Sequence, residues 1–434
     1  MTYKKQSSIT FGSDDRLIEI AKKYGTPLMI HDENSYRRYA EEALAVPNSF
    51  GLTVRYAMKA NSHKAVLNIL DNIGIHIDAS SYWEVKRAIA AGIALENIQL
   101  TSQETLTEER LKEIVGLGVI YNCTSLTQLK MFAKTFSNTE RTIAVRINPG
   151  LGSGYNNRTN TGGPAASFGI WHEYIPEVLD IAAKNNLKIS RIHTHVGSGS
   201  DWKVWQKAVG LTIDIVREFS DVEVVNLGGG YKIDRMNAEK SIDLQAVFEI
   251  VKTSFDKLYQ ETGRKLHLEI EPGTYLAANS CLLVAQINDI ADTGKEGFHF
   301  IKTDASMTEL LRPMIYGAKH PIRLLGKGDD VSEEYVVVGC CCESGDIFTP
   351  KEGEPEQIDT VRLPEASIGD YMAIMSTGAY GIAMSAKNYN SRPICAEVMI
   401  LASGEDVLIS KRQEVEDIWD RELCPEQIKL SLKI

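Results

Sequence analysis

The chain has 434 residues, 43% hydrophobic and 24% charged, which fits a globular protein of two domains or three small ones. Its net charge of −11 is spread without acidic runs and no basic cluster occurs, which argues against nucleic acid or a membrane surface as partner. No run of 18 apolar residues exists, the N-terminal MTYKKQSSITFGSDD lacks an apolar signal core, and the seven cysteines include no CxxC pair, so a cytoplasmic protein without disulfides or structural zinc is expected.

From residue 52 to 273 one pattern recurs: a short apolar, β-branched run ends in polar or glycine residues, and segments of helical period lie between the runs. VRYAMKA (54–60) precedes the helical HKAVLNILDN, and IHIDAS (75–80) precedes YWEVKRAIAAG. NIQLTS (97–102) and VIYNCTS (119–125) follow, with SLTQLKMFAKTF after the second. TIAVRINP (142–149) runs into the Gly/Asn/Thr-rich PGLGSGYNNRTNTGGPAAS (149–167), then YIPEVLDIAAKNN. A loop of that length in a compact domain is usually functional, for example as a lid. ISRIHTHVGS (189–198), VEVVNLGGG (222–230) and LHLEIEPG (266–273) complete eight runs, with VFEIVKTSFDKLYQETG between the last two. Strand–helix alternation implies parallel strands with helical crossovers. An open doubly wound sheet shares this local pattern, but eight units favour a (β/α)8 TIM-like barrel, for which about 250 residues is typical. The barrel is expected over 28–275. Beyond 276 the runs CLLVAQINDIAD, HFIKTDAS, EYVVVGCCC, DYMAIMSTGAY, ICAEVMILAS and EDVLISKR are strand-like with few helical patterns between them. They predict a mostly antiparallel β domain over 276–434, to which residues 1–27 are added.

Function in such a barrel sits at the C-terminal strand ends. These ends carry Lys59, Asp78, Ser102, Cys123, Arg146 with Asn148, His195 with Ser198, Gly228-Gly229-Gly230, and Glu271. The glycines of VNLGGGY form either a tight turn or an anion cradle. There is no G-x-x-x-x-G-K-[ST] and no G-x-G-x-x-G after a first strand, so neither a P-loop nor a Rossmann site is expected. In HTHVGSGSD, His193 and His195 alternate onto one side of a strand, but no third ligand stands at familiar spacing, and no metal is expected. Ser198 and Gly199 could extend the cradle, and His195 could stack on, or hydrogen-bond to, a flat cofactor. Glu271 either pairs with Arg146 or keeps a heterocyclic nitrogen protonated. Lys59 is awkward at the end of an apolar strand unless chemistry requires an amine there. An aldehyde needs a lysine, a phosphate needs glycine N–H groups and a ring nitrogen needs an acid; together these point to pyridoxal phosphate.

The chain also resembles the diaminopimelate decarboxylases, within the alanine-racemase-like class of pyridoxal phosphate enzymes. The matching segments are YAMKAN, DASSYWE, RINPGLGSGYNNRTNTGG, HTHVGSGSD, NLGGGY, EIEPG, DASMTELLRPMIYGAKHPI, CCESGDIFT, STGAYG and NYNSRP. The resemblance implies decarboxylation of meso-2,6-diaminopimelate to L-lysine and CO2, the last step of lysine biosynthesis. Lys59 would bond covalently to the cofactor, His195 would stack on its ring and Glu271 would pair with the ring nitrogen. Ser198, Gly228, Gly229, Gly230 and Tyr380 would hold the phosphate, and Asp78, Arg146 and Gly273 complete the cofactor-binding set. Arg312 and Tyr316 would bind a substrate carboxylate, with Thr274 and Tyr380 in the same substrate site. Cys342 would be the proton donor and Glu343 would read the far end of the substrate. In this family the CESGD segment comes from the other subunit, which implies a homodimer with shared active sites. Where the family usually reads EPGR, this chain reads EPGT, and SFGIW lacks a basic residue common before that glycine. Threonine cannot make arginine's bidentate pair with a carboxylate, so another cation takes that place or the substrate differs. The rival readings are a decarboxylase of lysine, ornithine or carboxynorspermidine type, a racemase, and a non-catalytic pyridoxal phosphate-binding protein of the same fold.

Overall fold

The computed structural model describes residues 11–137, 139–152, 161–195, 197, 199, 201–236, 239–328 and 333–425. Two units separate by their internal packing. Among the described residues, one comprises those of 32–281 and 375–383, and the other those of 11–31, 282–374 and 384–425.

The first unit is a closed parallel barrel. Its strands are β1 (Leu52–Ala57), β2 (His76–Ala79), β3 (Ile98–Thr101), β4 (Ile120–Cys123), β5 (Arg141–Asn148), β6 (Leu187–His193), β7 (Val224–Asn226) and β8 (His267–Ile270). Each pairs in parallel with the next, and β8 closes on β1 with Glu269 opposite Thr53. All eight expected runs are strands. Their ends are shorter than the sequence suggested, because the polar residues that close each run already belong to turns. Thus β1 stops at Ala57, and Lys59 sits in a 3-10 turn, Met58–Ala60.

A helix follows each of β1 to β7, and α1 (Glu33–Leu44), which stands before β1, fills the eighth position. The others are α2 (Lys64–Asp71), α3 (Tyr82–Ala91), α4 (Glu108–Gly116), α5 (Leu126–Thr135), α6 (Ile175–Lys184), α7 (Trp202–Arg217) and α8 (Leu244–Thr262). The polar residues at the strand ends start these helices. Side chains of His63, Ser81, Thr107, Ser125, Asp201 and Asp243 accept the first free N–H groups of α2, α3, α4, α5, α7 and α8. In SSYWE the cap is reciprocal. Ser81 Oγ accepts from Glu84 N, while Glu84 Oε2 accepts from Ser80 N at 2.7 Å.

The barrel interior is more polar than its apolar strand sequences suggest. Glu269 on β8 is buried between Arg55 of β1 (2.8 Å) and Arg191 of β6 (2.7 Å). Both guanidiniums hold its carboxyl below the usual range against the opposing effect of burial. This ionic layer underlies the site described below.

In the second unit the sheet order is Val361–Leu363, Glu333–Val338, His299–Thr303, Cys281–Asp292, Leu28–Asp32, Ala396–Ile400, Asp406–Ser410. Tyr371–Ile374 pairs antiparallel with Cys281–Asp292 and with Ile322–Leu324. His299–Thr303 and Glu333–Val338 run parallel, whereas Cys281–Asp292 with His299–Thr303, Glu333–Val338 with Val361–Leu363, and Ala396–Ile400 with Asp406–Ser410 are antiparallel. Two boundaries differ from the sequence reading. Leu28–His31, placed there with the barrel, lies in this unit's sheet. Residues 375–383, placed there with the β domain, pack with the barrel. The cause is local: Thr377 N donates to Cys281 O (2.9 Å), Gly378 N to Ala278 O (3.0 Å) and Tyr380 N to Ala60 O (2.8 Å). No Cβ would fit at Gly378, where it would lie 2.0 Å from the Ala277 carbonyl oxygen.

Candidate active site

Lys59 is exposed between buried Met58 and Ala60. Its turn is fixed against the EIEPG segment. Ala57 N donates to Pro272 O at 3.3 Å, and a Cβ on Gly273 would stand 3.3 Å from the Cβ atoms of both Ala57 and Ala60. Tyr380 N reaches the carbonyl of Ala60, the residue after the lysine, so STGAYG lies beside the same turn. Ser376 and Tyr380 both hold positive φ, 60° and 56°, a conformation that non-glycine residues keep only where packing enforces it.

Glu271 ends β8. Gln99 Nε2 and Asn226 Nδ2 each donate to its Oε1 at 2.7 Å, and His193 Nε2 lies 3.4 Å from Oε2. Gln99 also reaches Asp78 Oδ1 at 3.2 Å. Burial raises the Glu271 carboxyl, opposed by Arg146, by the Asn226 hydrogen bond and by Lys59. Asp78 is pushed up to about 8, first by burial and then by the charge of Glu271. Burial and their mutual repulsion thus favour retention of a proton by this pair of acids. Burial lowers Arg146 to about 10, still charged at neutral pH. Its guanidinium lies 5.3 Å from the Phe168 ring centroid and donates to Thr161 O (3.2 Å). Of the two sequence alternatives, direct pairing of Glu271 with Arg146 gives way to two neutral amide donors, with the arginine acting by charge alone. Asn148, one step further along β5, clamps the long loop at its base: its Oδ1 accepts from Gly150 N and Gly163 N, at 3.1 and 2.9 Å.

The glycine segments of β6 and β7 meet. Gly199 N donates to Gly230 O at 3.1 Å. Gly228, at φ 69°, has no room for a side chain, since its Cβ would fall 2.7 Å from His195 Cβ. Gly228 N–H is taken by Asn226 Oδ1 (2.8 Å), so its part is conformational, and it holds His195 close. His195 is half-buried, with Nδ1 enclosed; burial and the charges of Arg146 and Lys59 press its pKa well down, so it is neutral. Ser198 lies outside the described residues. Thr274 is half-buried and opens the short helix Thr274–Ala277, whose Tyr275 donates to Glu42 of α1 at 2.7 Å.

Lys59, Asp78, Arg146, His195, Gly228, Gly229, Gly230, Glu271, Gly273, Thr274 and Tyr380 therefore belong to one unit, at one end of one barrel. Arg312, Tyr316, Cys342 and Glu343 belong to the other. There, Arg312 and Tyr316 bound a five-residue helix, with the guanidinium 5.9 Å from the ring centroid. Cys342 and Glu343 are exposed on a loop held by Asp346, which accepts from Met307 N and Cys341 N, and by Asn390, whose Oδ1 accepts from Cys342 N at 2.7 Å. Among the described residues there is no group of three or more His, Cys, Asp or Glu that could hold a metal ion. No helix among them is long and apolar enough to cross a membrane.

An exposed amine, a hydrogen-bonded buried carboxylate and a glycine turn shaped against an imidazole fit pyridoxal phosphate. They define the class as a barrel enzyme dependent on that cofactor. Residues 35–278 match the family model described as pyridoxal-dependent decarboxylase, pyridoxal binding domain. The chain is 32% identical over 419 residues to a diaminopimelate decarboxylase of Escherichia coli (strain K12), covering 94% of this chain and 96% of that protein. A crystal structure of diaminopimelate decarboxylase superposes with a TM-score of 0.86 at 31% identity, covering 95% of this chain and 98% of the other. The diaminopimelate decarboxylase of Helicobacter pylori, solved with L-lysine, gives 0.80 at 26% identity over 93% and 98%. The chain belongs to the diaminopimelate decarboxylase family of pyridoxal-dependent decarboxylases.

Three residues around Glu271 escaped the sequence reading, Gln99, Asn122 and Asn226, and His193 was weighed there only as a metal ligand. Their signal was a polar side chain inside an apolar run, as in NIQLTS, VIYNCTS and VVNLGGG. Such a residue must face a polar barrel interior, because burying it unpaired would be costly.

Proposed function

We propose that the protein decarboxylates meso-2,6-diaminopimelate at one α-carbon to give L-lysine and CO2, acting in the cytoplasm as a homodimer. The observation that carries this is that the turn bearing Lys59 is bonded, from Ala57 N to Pro272 O, to the segment bearing Glu271, in a chain matched over nearly its whole length by relatives named diaminopimelate decarboxylase. A relative solved with L-lysine holds the product this reaction would give.

When bound, pyridoxal phosphate supplies an aldehyde that captures the substrate amine and a ring that accepts the electrons left by CO2. Lys59 would hold that aldehyde. Glu271 would hold the ring nitrogen's proton, with Gln99 and Asn226 fixing the carboxylate. Neutral His195, pressed against Gly228, offers a flat face for the ring. Gly229, Gly230, Ser198 and Tyr380 would hold the phosphate, and Arg146 and Asp78 act electrostatically on Glu271. Arg312 and Tyr316 would bind a substrate carboxylate, and Thr274 leaves that charge to Arg312. Cys342 of a second copy would return a proton to the α-carbon, and Glu343 would read the far amino group.

The test is CO2 release from meso-diaminopimelate, L-lysine, L-ornithine and carboxynorspermidine by the holoenzyme. Activity confined to diaminopimelate supports the reading. Activity confined to lysine or ornithine replaces it with the neighbouring decarboxylase class, for which Thr274 in place of arginine is the motivating residue.

A further inference from the structure

His193 has no part in the chemistry described so far, yet it is 2% exposed and sits in the middle of the site. Its Nδ1 meets Asn122 Nδ2 at 2.7 Å, and its Nε2 meets Glu271 Oε2 at 3.4 Å. Burial, together with the positive charges of Arg146 and Lys59 and the neighbouring His195, presses its pKa well down, so the ring is neutral. A neutral imidazole has one donor and one acceptor, and its neighbours choose which is which.

Asn122 makes the choice. Its amide nitrogen lies between His193 Nδ1 and Thr101 Oγ1 (3.3 Å), so Nδ1 accepts and Nε2 carries the hydrogen. Turning the amide over would place the hydrogen on Nδ1 and leave a bare Nε2 lone pair facing a carboxylate oxygen. The observed orientation leaves the neutral Asn122 Oδ1 and the His193 Nε2 hydrogen without a full hydrogen bond, but it sets that hydrogen beside a carboxylate oxygen, the smaller penalty. Glu271 then has two amide donors on Oε1 and the imidazole Nε2 at 3.4 Å from Oε2. That separation is long for a hydrogen bond, and separations of this kind commonly tighten when a site is filled.

We propose that His193, with its tautomer set by Asn122, is a positioning residue that holds the Glu271 carboxylate in its plane and as a hydrogen-bond acceptor, and so governs whether the cofactor's ring nitrogen keeps its proton. The proposal rests on Glu271 being that nitrogen's partner. Donors to an ionised carboxylate favour the ionised form, and outer partners of this kind change activity by about 10- to 100-fold in comparable metal sites.

The experiment loads the full-length enzyme with pyridoxal phosphate labelled with 15N in the ring and reads the ring nitrogen by NMR, with kcat and KM measured on the same preparations. In wild type the signal is expected to be that of a protonated ring. In His193→Ala it shifts toward the unprotonated position and kcat falls about 10- to 100-fold with little change in KM. His193→Gln, whose side-chain amide can present an N–H near the Nε2 position, restores part of both. Asn122→Leu moves the signal in the same direction as His193→Ala, and it carries the test if His193→Ala does not fold. A folded, cofactor-loaded His193→Ala or Asn122→Leu with the wild-type ring signal and kcat overturns the proposal. Glu271→Gln separates the two readings: an unchanged ring signal in that variant removes Glu271 as the nitrogen's partner, whatever His193 does.

Discussion

Gly229→Ala tests how tightly the glycine turn is bound to Glu271. The added Cβ would stand 2.3 Å from the Glu271 carbonyl oxygen. An ordinary carbon–oxygen contact is about 3.3 Å, so the overlap is about 1 Å. The oxygen belongs to the backbone and cannot swing away as a flexible side chain would. The neighbouring bond from Glu271 N to Gly228 O, 2.8 Å, ties the same two segments together. The relief must therefore come from sliding β8 against the β7 turn, which moves Glu271 itself. Gly228 needs glycine for its positive φ as well as for space, whereas at Gly229 the penalty is the contact alone. Overpacking of this kind costs about 1–3 kcal/mol of stability. A displacement of about 1 Å at a reacting group costs about 100-fold in rate. The variant is expected to fold with a lowered Tm, to retain less cofactor after gel filtration and to lose about 100-fold in kcat. Wild-type kcat and cofactor content would refute the claim that this contact sets the position of Glu271.

Lys59→Ala should abolish turnover and the visible absorbance of covalently held cofactor; covalent attachment surviving in the purified variant would displace Lys59 from its role. Mixing Lys59→Ala with Cys342→Ala protein should restore roughly a quarter of wild-type activity if each site draws on two copies, because half the dimers would then carry one intact site; no recovery after subunit exchange would argue for sites built within one chain. Asp78 titrates at about 8 when folded and at about 3.9 when unfolded. Its contribution to stability is present in full below the unfolded value and is lost as pH rises through the folded one. Asp78→Asn should therefore flatten the fall in Tm of cofactor-free protein between about pH 4 and pH 8, and an unchanged slope would contradict it. Glu269→Leu strands Arg55, 3% exposed at the side chain, without its partner, and should cost about 3–5 kcal/mol in urea unfolding.

The barrel could be read from the sequence because most helices that follow a strand run begin at a polar residue whose side chain caps them. Ser81, Ser125 and Asp243 show this directly. The principal site residues were legible because Lys59, Asp78, Arg146 and Glu271 stand at or just beyond strand ends. What escaped was the layer below. Gln99 and Asn122 are interior positions of strands and His193 is the last residue of β6; there period-two alternation gives a facing but not a partner, and their meaning appears only when β3, β4 and β6 converge on β8. The placement of 375–383 was equally hidden, because it depends on backbone bonds from Thr377, Gly378 and Tyr380 to residues far back in the chain. No periodic pattern encodes bonds of that kind.

That last segment bears on the order in which the protein can be made. A ribosome releases the barrel's eight strands by residue 270, and domains generally fold as units in the order they emerge. Yet the strip carrying Tyr380 arrives only after the whole of 282–374 has been synthesised. A nascent chain can thus close its barrel around Lys59 and Glu271 while the wall beside the lysine is still absent. Any cofactor captured at that stage would sit in an open mouth, and termination between 281 and 375 would leave a barrel without Tyr380.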